Sequence, residues 1–224
     1  MRVPEACLFD LDGVLLDTEP LHSKAWAQSV ERFGLSLTAD QLENLRGRKR
    51  VDCIKEIMKL FGSKISKVSF EKVHTPISND LMRKAKSMEG AEELVRYCIN
   101  IKMPIAIVTS SSSKSVKTKM EHNHWLKIIT TTVYGDDIDL KKGKPSADPF
   151  LLAAHKLKVD PLKCWAIEDS VSGVKSSSSA GCFTWKLVTE IRNEKPNNNN
   201  SQSIKEIKSL LTVKKCLTEL IEIN

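Results

Sequence analysis

The sequence predicts an α/β fold built on a mainly parallel β-sheet. Five short apolar runs have the length and composition of buried strands, and amphipathic helical patterns separate most of them. Strands that alternate with helices favour a parallel sheet with helices on both faces. One interval near the start of the chain departs from this alternation, because no strand interrupts it. The prediction is therefore a Rossmann-like core that carries an inserted α-helical cap.

Polar clusters follow most of the predicted core strands. The strands lie in the segments EACLF before Asp10, PIAIV before Thr109, TTTVY before Gly135, CWAI before Glu168 and CFTWKLV after Gly181. Helices are predicted in GAEELVRYCINIK, in ADPFLLAAHKLK and from Ser170 onwards. The final segment, with apolar residues from Ile204 to Leu211, has the pattern of another helix that packs on the sheet. Ligands of such sheets bind at the carboxyl ends of the strands, so the polar clusters mark the expected site.

The predicted cap spans residues 18–85, and the predicted core comprises residues 1–17 and 86–224. A helical stripe runs through Leu21, Ala25, Trp26, Val30 and Phe33, and Gly34 is expected to end it. Thr38 and Gln41 have the spacing of a capping box for a second helix that would end at Gly47. A third helix is predicted over Asp52 to Phe61. Outside the cap, the Asn-rich segment 195–203 is a low-complexity loop whose expected role is solvation.

Composition limits the classes of partner. The chain has 224 residues and a formal charge of +7. The basic groups RGRKR (46–50) and LKKGK (140–144) would suit nucleic acid, but only 5% of the residues are aromatic and no recognition motif accompanies them. A small anionic substrate explains these groups as well, so no nucleic-acid partner is predicted. The longest apolar runs have strand length, far below the roughly 20 residues needed to cross a bilayer, and no membrane association is predicted.

The start of the chain and its cysteines favour a cytoplasmic protein. Met1 leads almost directly into an acidic motif, without a visible signal peptide. The six cysteines have no CxxC spacing and mostly apolar neighbours, which favours buried reduced thiols over disulfides or a metal site. We expect the chain to act as a monomer.

Three carboxylates follow the first predicted strand, in the stretch CLFDLDGVLLDTEPLH. Asp10 and Asp12 are separated by one residue, so in an extended segment their side chains leave on the same side. Carboxylates that face one point repel each other unless a cation neutralises them, and hard oxygen ligands favour Mg²⁺. An Asp-x-Asp pair alone is weak evidence, since it also occurs in glycosyltransferases and in turns without any chemistry. Asp17 is expected to start the cap linker.

Three other strand ends carry complementary chemistry. The stretch TSSSSKS, from Thr109, offers hydroxyls and backbone amides near a helix start, which suits a phosphate group, although a Ser-rich capping turn would look the same. Lys144 precedes a proline in KKGKPSADP, where a solvated lysine is the alternative. Glu168 and Asp169 end the strand CWAI and would otherwise cap the following helix. Such coincidences at successive strand ends favour one shared site.

With these motifs, the chain resembles the haloacid dehalogenase-like hydrolase superfamily. The resemblance rests on FDLDGVLLDTE, IVTSSSS, GKPSADPF and AIEDSVSGV, in the expected order, and it covers nearly the whole chain. The cap position and the stretch DTEPLHSKAW are similar to the branch that contains β-phosphoglucomutase and small sugar-phosphate phosphatases. The sequence departs from the pattern at Glu89, where a proline is usual, and in VYGDDIDLKKGKP, which is slightly long.

The resemblance implies a catalytic role for four residues. Asp10 would attack phosphorus and form an aspartyl-phosphate, which divides one difficult transfer into two in-line steps. Asp12 would protonate the departing oxygen and then deprotonate the attacking water. Thr109 and Lys144 would hold the oxygens of the transferring phosphoryl group, and Ser110 and Ser111 would bind the substrate beside Thr109.

The resemblance also implies a Mg²⁺ site and two cap residues that contact substrate. Asp10, Asp169 and the backbone carbonyl of Asp12 would ligate the ion, and Glu168 would complete the acidic cluster directly or through water. His22 matches a histidine near the acid/base aspartate of the mutase-like branch, and a hydrogen bond at the cap hinge explains it equally well. Arg50 matches a substrate-binding arginine, with an exposed charge at a helix start as the alternative. Trp26 is interpreted as core packing.

These expectations predict a Mg²⁺-dependent phosphatase that acts on a small phosphorylated metabolite, a sugar phosphate in particular. The alternatives are a β-phosphoglucomutase-like phosphomutase, a haloacid dehalogenase and a non-catalytic binding module. The mutase-like pattern has a lysine after its phosphate-binding serine, where Ser112 follows Ser111 here, and a lysine is also missing near Ser78. A dehalogenase has no departing alkoxide, so it needs neither Asp12 nor Mg²⁺.

Overall fold

A computed structural model describes residues 1–45, 50–62, 64–188 and 203–223. The chain divides into two compact units. The first comprises Met1–Leu16, Ser87–Val116 and His124–Asn224, and the second comprises Asp17–Lys86 and Lys117–Asn123. Two of the sequence predictions, the helix end at Gly47 and the Asn-rich loop up to residue 202, lie outside the described residues.

The strands of the described chain form one large and one small sheet. In chain order they are β1 (Ala6–Phe9), β2 (Leu16–Asp17), β3 (Lys86–Ser87), β4 (Ile105–Val108), β5 (Thr131–Val133), β6 (Cys164–Glu168), β7 (Phe183–Leu187) and β8 (Ile204–Ile207). The large sheet has the order β5-β4-β1-β6-β7-β8, and each of its neighbouring pairs is parallel. The short strands β2 and β3 form the small sheet. The predicted α/β fold with a mainly parallel sheet is confirmed.

The helices of the first unit are α5 (Ala91–Asn100), α6 (Ser113–Met120, whose last residues belong to the second unit), α7 (Asp148–Leu157), α8 (Val171–Ser179) and α9 (Leu210–Glu222). Short 3₁₀ turns lie at His124–Ile128 and Pro161–Lys163. Strand residues pack on α7 in a buried cluster that includes Leu8, Val108, Val133, Phe150 and Ala153. Because β1 and β4 are buried at every position, they form the continuous apolar runs that the sequence shows.

The prediction for the end of the chain is wrong in part. Ile204–Ile207 is an edge strand and not the start of a helix, since it pairs with β7 in the register Thr184↔Ile204 and Leu187↔Ile207. The helix begins at Leu210, where the Ser209 hydroxyl accepts a hydrogen bond from the Leu211 amide at 3.2 Å. Pairing with an open strand edge thus prevails over the helical spacing of the apolar residues.

The second unit contains the helices α1 (Glu19–Glu31), α2 (Ala39–Leu45), α3 (Arg50–Phe61) and α4 (Lys67–Arg83). Trp26, Val30, Ile57 and Phe70 lie in its buried core. Thr38 and Gln41 form the predicted capping box, with reciprocal bonds of 2.9 and 3.2 Å. Gly34 follows α1 with a φ of +69°, a conformation that favours glycine. Within the described ranges, every helix is too short or too polar to span a bilayer.

Candidate active site

Four polar residues lie together where three central strands end. Asp10 follows β1, Thr109 follows β4, Glu168 is the last residue of β6, and Asp169 comes directly after it. Because β1 pairs in parallel with both β4 and β6, these ends lie at one edge of the sheet. The Asp10 amide donates to the Ile167 carbonyl at 3.0 Å, which extends the pairing to the site itself.

Lys144 joins this cluster from the loop between β5 and α7. Its Nζ donates to Asp10 Oδ1 and to Glu168 Oε1, each at 2.5 Å, and to the Val108 carbonyl at 2.8 Å. The side chain is only 4% exposed, and its Nζ also lies 5.4 Å from the centre of the Phe150 ring. A buried ammonium with two carboxylate partners is not the solvated lysine that the sequence left open.

Burial and mutual charge shift the pKa values in this cluster. Burial raises the pKa of Glu168 to about 7, with the negative charge of Asp10 acting in the same direction and Lys144 opposing it. Burial by itself would lower the pKa of Lys144, but Asp10 and Glu168 together raise it above its ordinary value. Lys144 therefore stays protonated. A cation that enters the cluster would favour the ionised form of Glu168.

The buried carboxylates fit a divalent cation. Asp10, Glu168 and Asp169 each offer an oxygen, and these oxygens lie within 4.8 Å of one another. With all groups ionised, three carboxylates and one ammonium leave two negative charges, which a divalent cation would balance. Hard oxygen donors in this number suit Mg²⁺. The predicted metal ligands Asp10, Glu168 and Asp169 are thus brought together.

Two glycines, which the sequence analysis did not single out, make room for these carboxylates. Gly13 has a φ of +86°, and a Cβ there would lie 2.0 Å from Asp169 Oδ2. A Cβ at Gly173 in α8 would lie 2.0 Å from Glu168 Oε2. Both glycines stand inside the motifs DLDGV and EDSVSG, and their place in these motifs was the available signal.

Asp12 belongs to a second group, with Thr109 and Ser111. Asp12 Oδ2 accepts a hydrogen bond from Ser111 Oγ at 2.8 Å, and its side chain is only partly buried. The Ser111 amide donates to Thr109 Oγ1 at 3.0 Å, and Thr109 is 2% exposed. Ser110 is exposed. A partly accessible carboxylate with an oriented hydroxyl partner is suited to proton transfer.

The predicted cap residues His22 and Arg50 lie in the second unit. Arg50 is the exposed first residue of α3, and its Nη2 donates to Thr75 Oγ1 in α4 at 2.7 Å. His22 lies in α1 and is half-buried. The charges of Arg50 and His22 both act on His74, a buried residue of α4, so the three basic groups share one region of this unit. His74 was not among the residues predicted from the sequence.

Known proteins with similar sequences include phosphatases and a mutase. A phosphorylated carbohydrates phosphatase from Thermotoga maritima is 31% identical over 79% of this chain and 82% of its own length. The β-phosphoglucomutase of Bacillus subtilis is 30% identical over 80% of this chain and 81% of its own. A bifunctional riboflavin kinase/FMN phosphatase from Arabidopsis thaliana is 29% identical over 80% of this chain, which spans 47% of the length of that relative.

The fold has a close counterpart among solved structures. A HAD hydrolase of family IA, variant 3, from Entamoeba histolytica superposes with a TM-score of 0.80 and 25% identity, over 99% of this chain and 100% of the other. The sequence model described as haloacid dehalogenase-like hydrolase matches residues 7–187, which include every residue of the acidic cluster. The chain therefore belongs to the haloacid dehalogenase-like hydrolase family.

Proposed function

We propose that this protein is a Mg²⁺-dependent phosphatase that hydrolyses a small phosphorylated metabolite, a sugar phosphate in particular. The observation that carries this proposal is the buried contact of Lys144 with Asp10 and Glu168, next to Asp169. Names of the relatives support it, because they include a phosphatase of phosphorylated carbohydrates and an FMN phosphatase.

In the proposed first step, a carboxylate oxygen of Asp10 attacks the phosphorus atom. An Asp10 oxygen–phosphorus bond forms while the bond between phosphorus and the substrate oxygen breaks, and Asp12 gives its proton to that oxygen. Lys144 keeps Asp10 ionised before the attack, since a neighbouring ammonium favours the carboxylate. The hydroxyl of Ser111 orients the Asp12 carboxyl group.

In the second step, water takes the place of the substrate alcohol. Asp12 removes a proton from the water, the water oxygen bonds to phosphorus, and the bond to Asp10 breaks, which releases phosphate, restores the Asp10 carboxylate and leaves Asp12 protonated for the next cycle. Asp10, Glu168 and Asp169 would hold Mg²⁺, with the Asp12 carbonyl as a further ligand. When bound, the ion supplies positive charge next to the transferring phosphoryl group.

The principal alternative is a phosphomutase, which the similarity to the Bacillus subtilis β-phosphoglucomutase supports. A mutase must hold a second phosphate and keep water from its aspartyl-phosphate, which calls for additional cationic contacts. Ser112, where the mutase-like pattern has lysine, accepts a hydrogen bond from the Ser115 amide at 3.3 Å and so serves the start of α6. Ser78 is a buried residue of α4. These two positions favour hydrolysis.

The proposal is tested by measuring phosphate release from a panel of phosphorylated metabolites. We expect activity that EDTA removes and Mg²⁺ restores, and no turnover by the D10N variant in its folded state. The matched control is D139N, at an exposed aspartate of the loop after β5. Full activity of D10N would refute the mechanism, and metal-independent turnover of a haloacid would favour a dehalogenase. In an assay supplied with β-glucose 1-phosphate and a trace of the bisphosphate, formation of glucose 6-phosphate with little release of free phosphate would favour a mutase.

A further inference from the structure

The segment that follows β4, residues 109–113, is fastened to the turn that follows β5, residues 134–137. The two strands pair up to Val108↔Val133. Beyond that point the Thr109 amide donates to the Val133 carbonyl at 3.0 Å, and the Gly135 amide donates to the Ser111 carbonyl at 2.8 Å. These bonds continue the contact past the end of the sheet.

Asp136 adds the last attachment. Its Oδ1 accepts a hydrogen bond from the Ser113 amide at 2.7 Å, and its Oδ2 accepts one from Ser113 Oγ at 3.1 Å. Both carboxylate oxygens therefore hold the first residue of α6. A carboxylate at this place also interacts favourably with the amino-terminal end of the helix.

The 134–137 turn is itself well anchored. Asp137 Oδ2 accepts a hydrogen bond from Lys156 Nζ in α7 at 2.6 Å. A Cβ at Gly135 would lie 2.2 Å from the Ser110 carbonyl oxygen, so the two backbones approach as closely as glycine permits. The hydrogen bonds of Asp136 thus tie the 109–113 segment to an anchored turn.

Ser111 connects this attachment to the proposed chemistry. Its carbonyl is held by Gly135, while its hydroxyl donates to Asp12 Oδ2 at 2.8 Å. A displacement of the 109–113 segment would carry this hydroxyl away from Asp12. We infer that Asp136, which is exposed and lies outside the acidic cluster, is a positioning residue. It keeps the Ser111 hydroxyl within hydrogen-bond distance of Asp12. The inference rests on the proposed function, in which Asp12 transfers the protons.

The test compares the variants D136A and D136N. Asparagine keeps an acceptor for the Ser113 amide, whereas alanine removes both acceptors. We expect D136A to lower kcat roughly tenfold with a smaller change in KM, because misplacements of about 1 Å at a reacting group can cost 10²-fold. D136N should recover most of the rate, which separates the loss of the acceptor from the loss of the charge. An unchanged kcat in D136A would overturn the inference.

The matched control is D160A, which removes another aspartate cap, that of the Leu162 amide at 2.9 Å in the turn before β6. An equal loss of kcat in D160A would overturn the inference, since it would trace the effect to general destabilisation. Hydrogen exchange of peptides that cover residues 109–116 gives a readout without activity. We expect roughly fivefold faster exchange in D136A, in proportion to the loss of a helix cap.

A failure of the proposed function can be distinguished from a failure of the positioning role of Asp136. If the wild-type protein releases no phosphate from any substrate, the phosphatase proposal fails whatever Asp136 does. Exchange then decides on the positioning role: faster exchange in D136A, with recovery in D136N, supports it, and equal exchange in all three proteins overturns it.

Discussion

A buried histidine in the second unit should make the protein less stable in acid. His74 is 1% exposed, and its ring stacks on that of Trp26 with 3.9 Å between the ring centres. Its Nδ1 lies 2.9 Å from Ser29 Oγ. The Ser29 hydroxyl donates its one proton to the Ala25 carbonyl at 2.6 Å, so Nδ1 of His74 is the donor in the second bond. Burial, with the charges of Arg50 and His22 in addition, lowers the pKa of His74 to about 3.

The size of the effect follows from the difference between the folded and unfolded pKa values. In the unfolded chain a histidine titrates near its ordinary value of 6.5, well above the folded value of about 3. Between these values the unfolded state binds the proton and the folded state does not, so stability falls as the pH falls through 6.5 towards 3. From pH 7 to pH 5 the loss amounts to about 2 kcal/mol, since each pH unit fully inside this range contributes about 1.4 kcal/mol.

The assay is equilibrium urea unfolding of the wild-type and H74Q proteins at pH 7 and pH 5. Glu168 titrates over the same range with the opposite sign, because its raised folded pKa of about 7 adds stability as the pH falls. This contribution is common to both proteins and cancels in their difference. We expect the wild-type protein to lose about 2 kcal/mol more than H74Q. The control is H155Q, at an exposed histidine of α7. Equal losses in the wild type and H74Q would refute the reasoning.

Two further substitutions test the acidic cluster. Lys144→Met leaves the buried carboxylates of Asp10 and Glu168 without their shared ammonium, so the free energy of unfolding in urea should fall by about 3–5 kcal/mol and phosphate release should stop; unchanged stability would show that the pairing is not needed for folding. Gly13→Ala places a Cβ 2.0 Å from Asp169 Oδ2, in a backbone conformation that alanine rarely adopts. The Mg²⁺ concentration for half-maximal activity should rise roughly tenfold, and an unaltered Mg²⁺ dependence would contradict the role given to Asp169.

The sequence was informative where local pattern and packing agree. Buried parallel strands such as β1 and β6 form short apolar runs, and their ends meet at one edge of the sheet. It follows that Asp10, Glu168 and Asp169 could be placed near one another from their positions after these runs. Lys144 was grouped with them as a polar residue after a predicted strand, but its role came only through the resemblance, because it stands in a loop without periodicity.

Other features depend on contacts between distant parts of the chain. The hydrogen bond from Ser111 to Asp12 joins residues 99 positions apart, and neither residue type indicates its partner. The edge strand β8 has apolar residues at a spacing that also fits a helix, and pairing with β7 decides between the two. The motif EDSVSG contains Gly173, but the steric reason for a glycine there, the closeness of the Glu168 carboxylate, is visible only in the structure.

The acidic cluster is more readily explained by chemistry than by stability. Removing carboxylates and an ammonium from water costs several kcal/mol for each ion, and well-packed apolar residues of similar volume often stabilise a fold as well or better. Here Lys144 balances only one of the three carboxylates, so the cluster retains negative charge at the centre of the sheet edge. That charge has a use if a divalent cation and a phosphoryl group enter, because their charges complement the carboxylates and the lysine respectively. The same arrangement that is costly for folding is therefore the one that phosphoryl transfer requires.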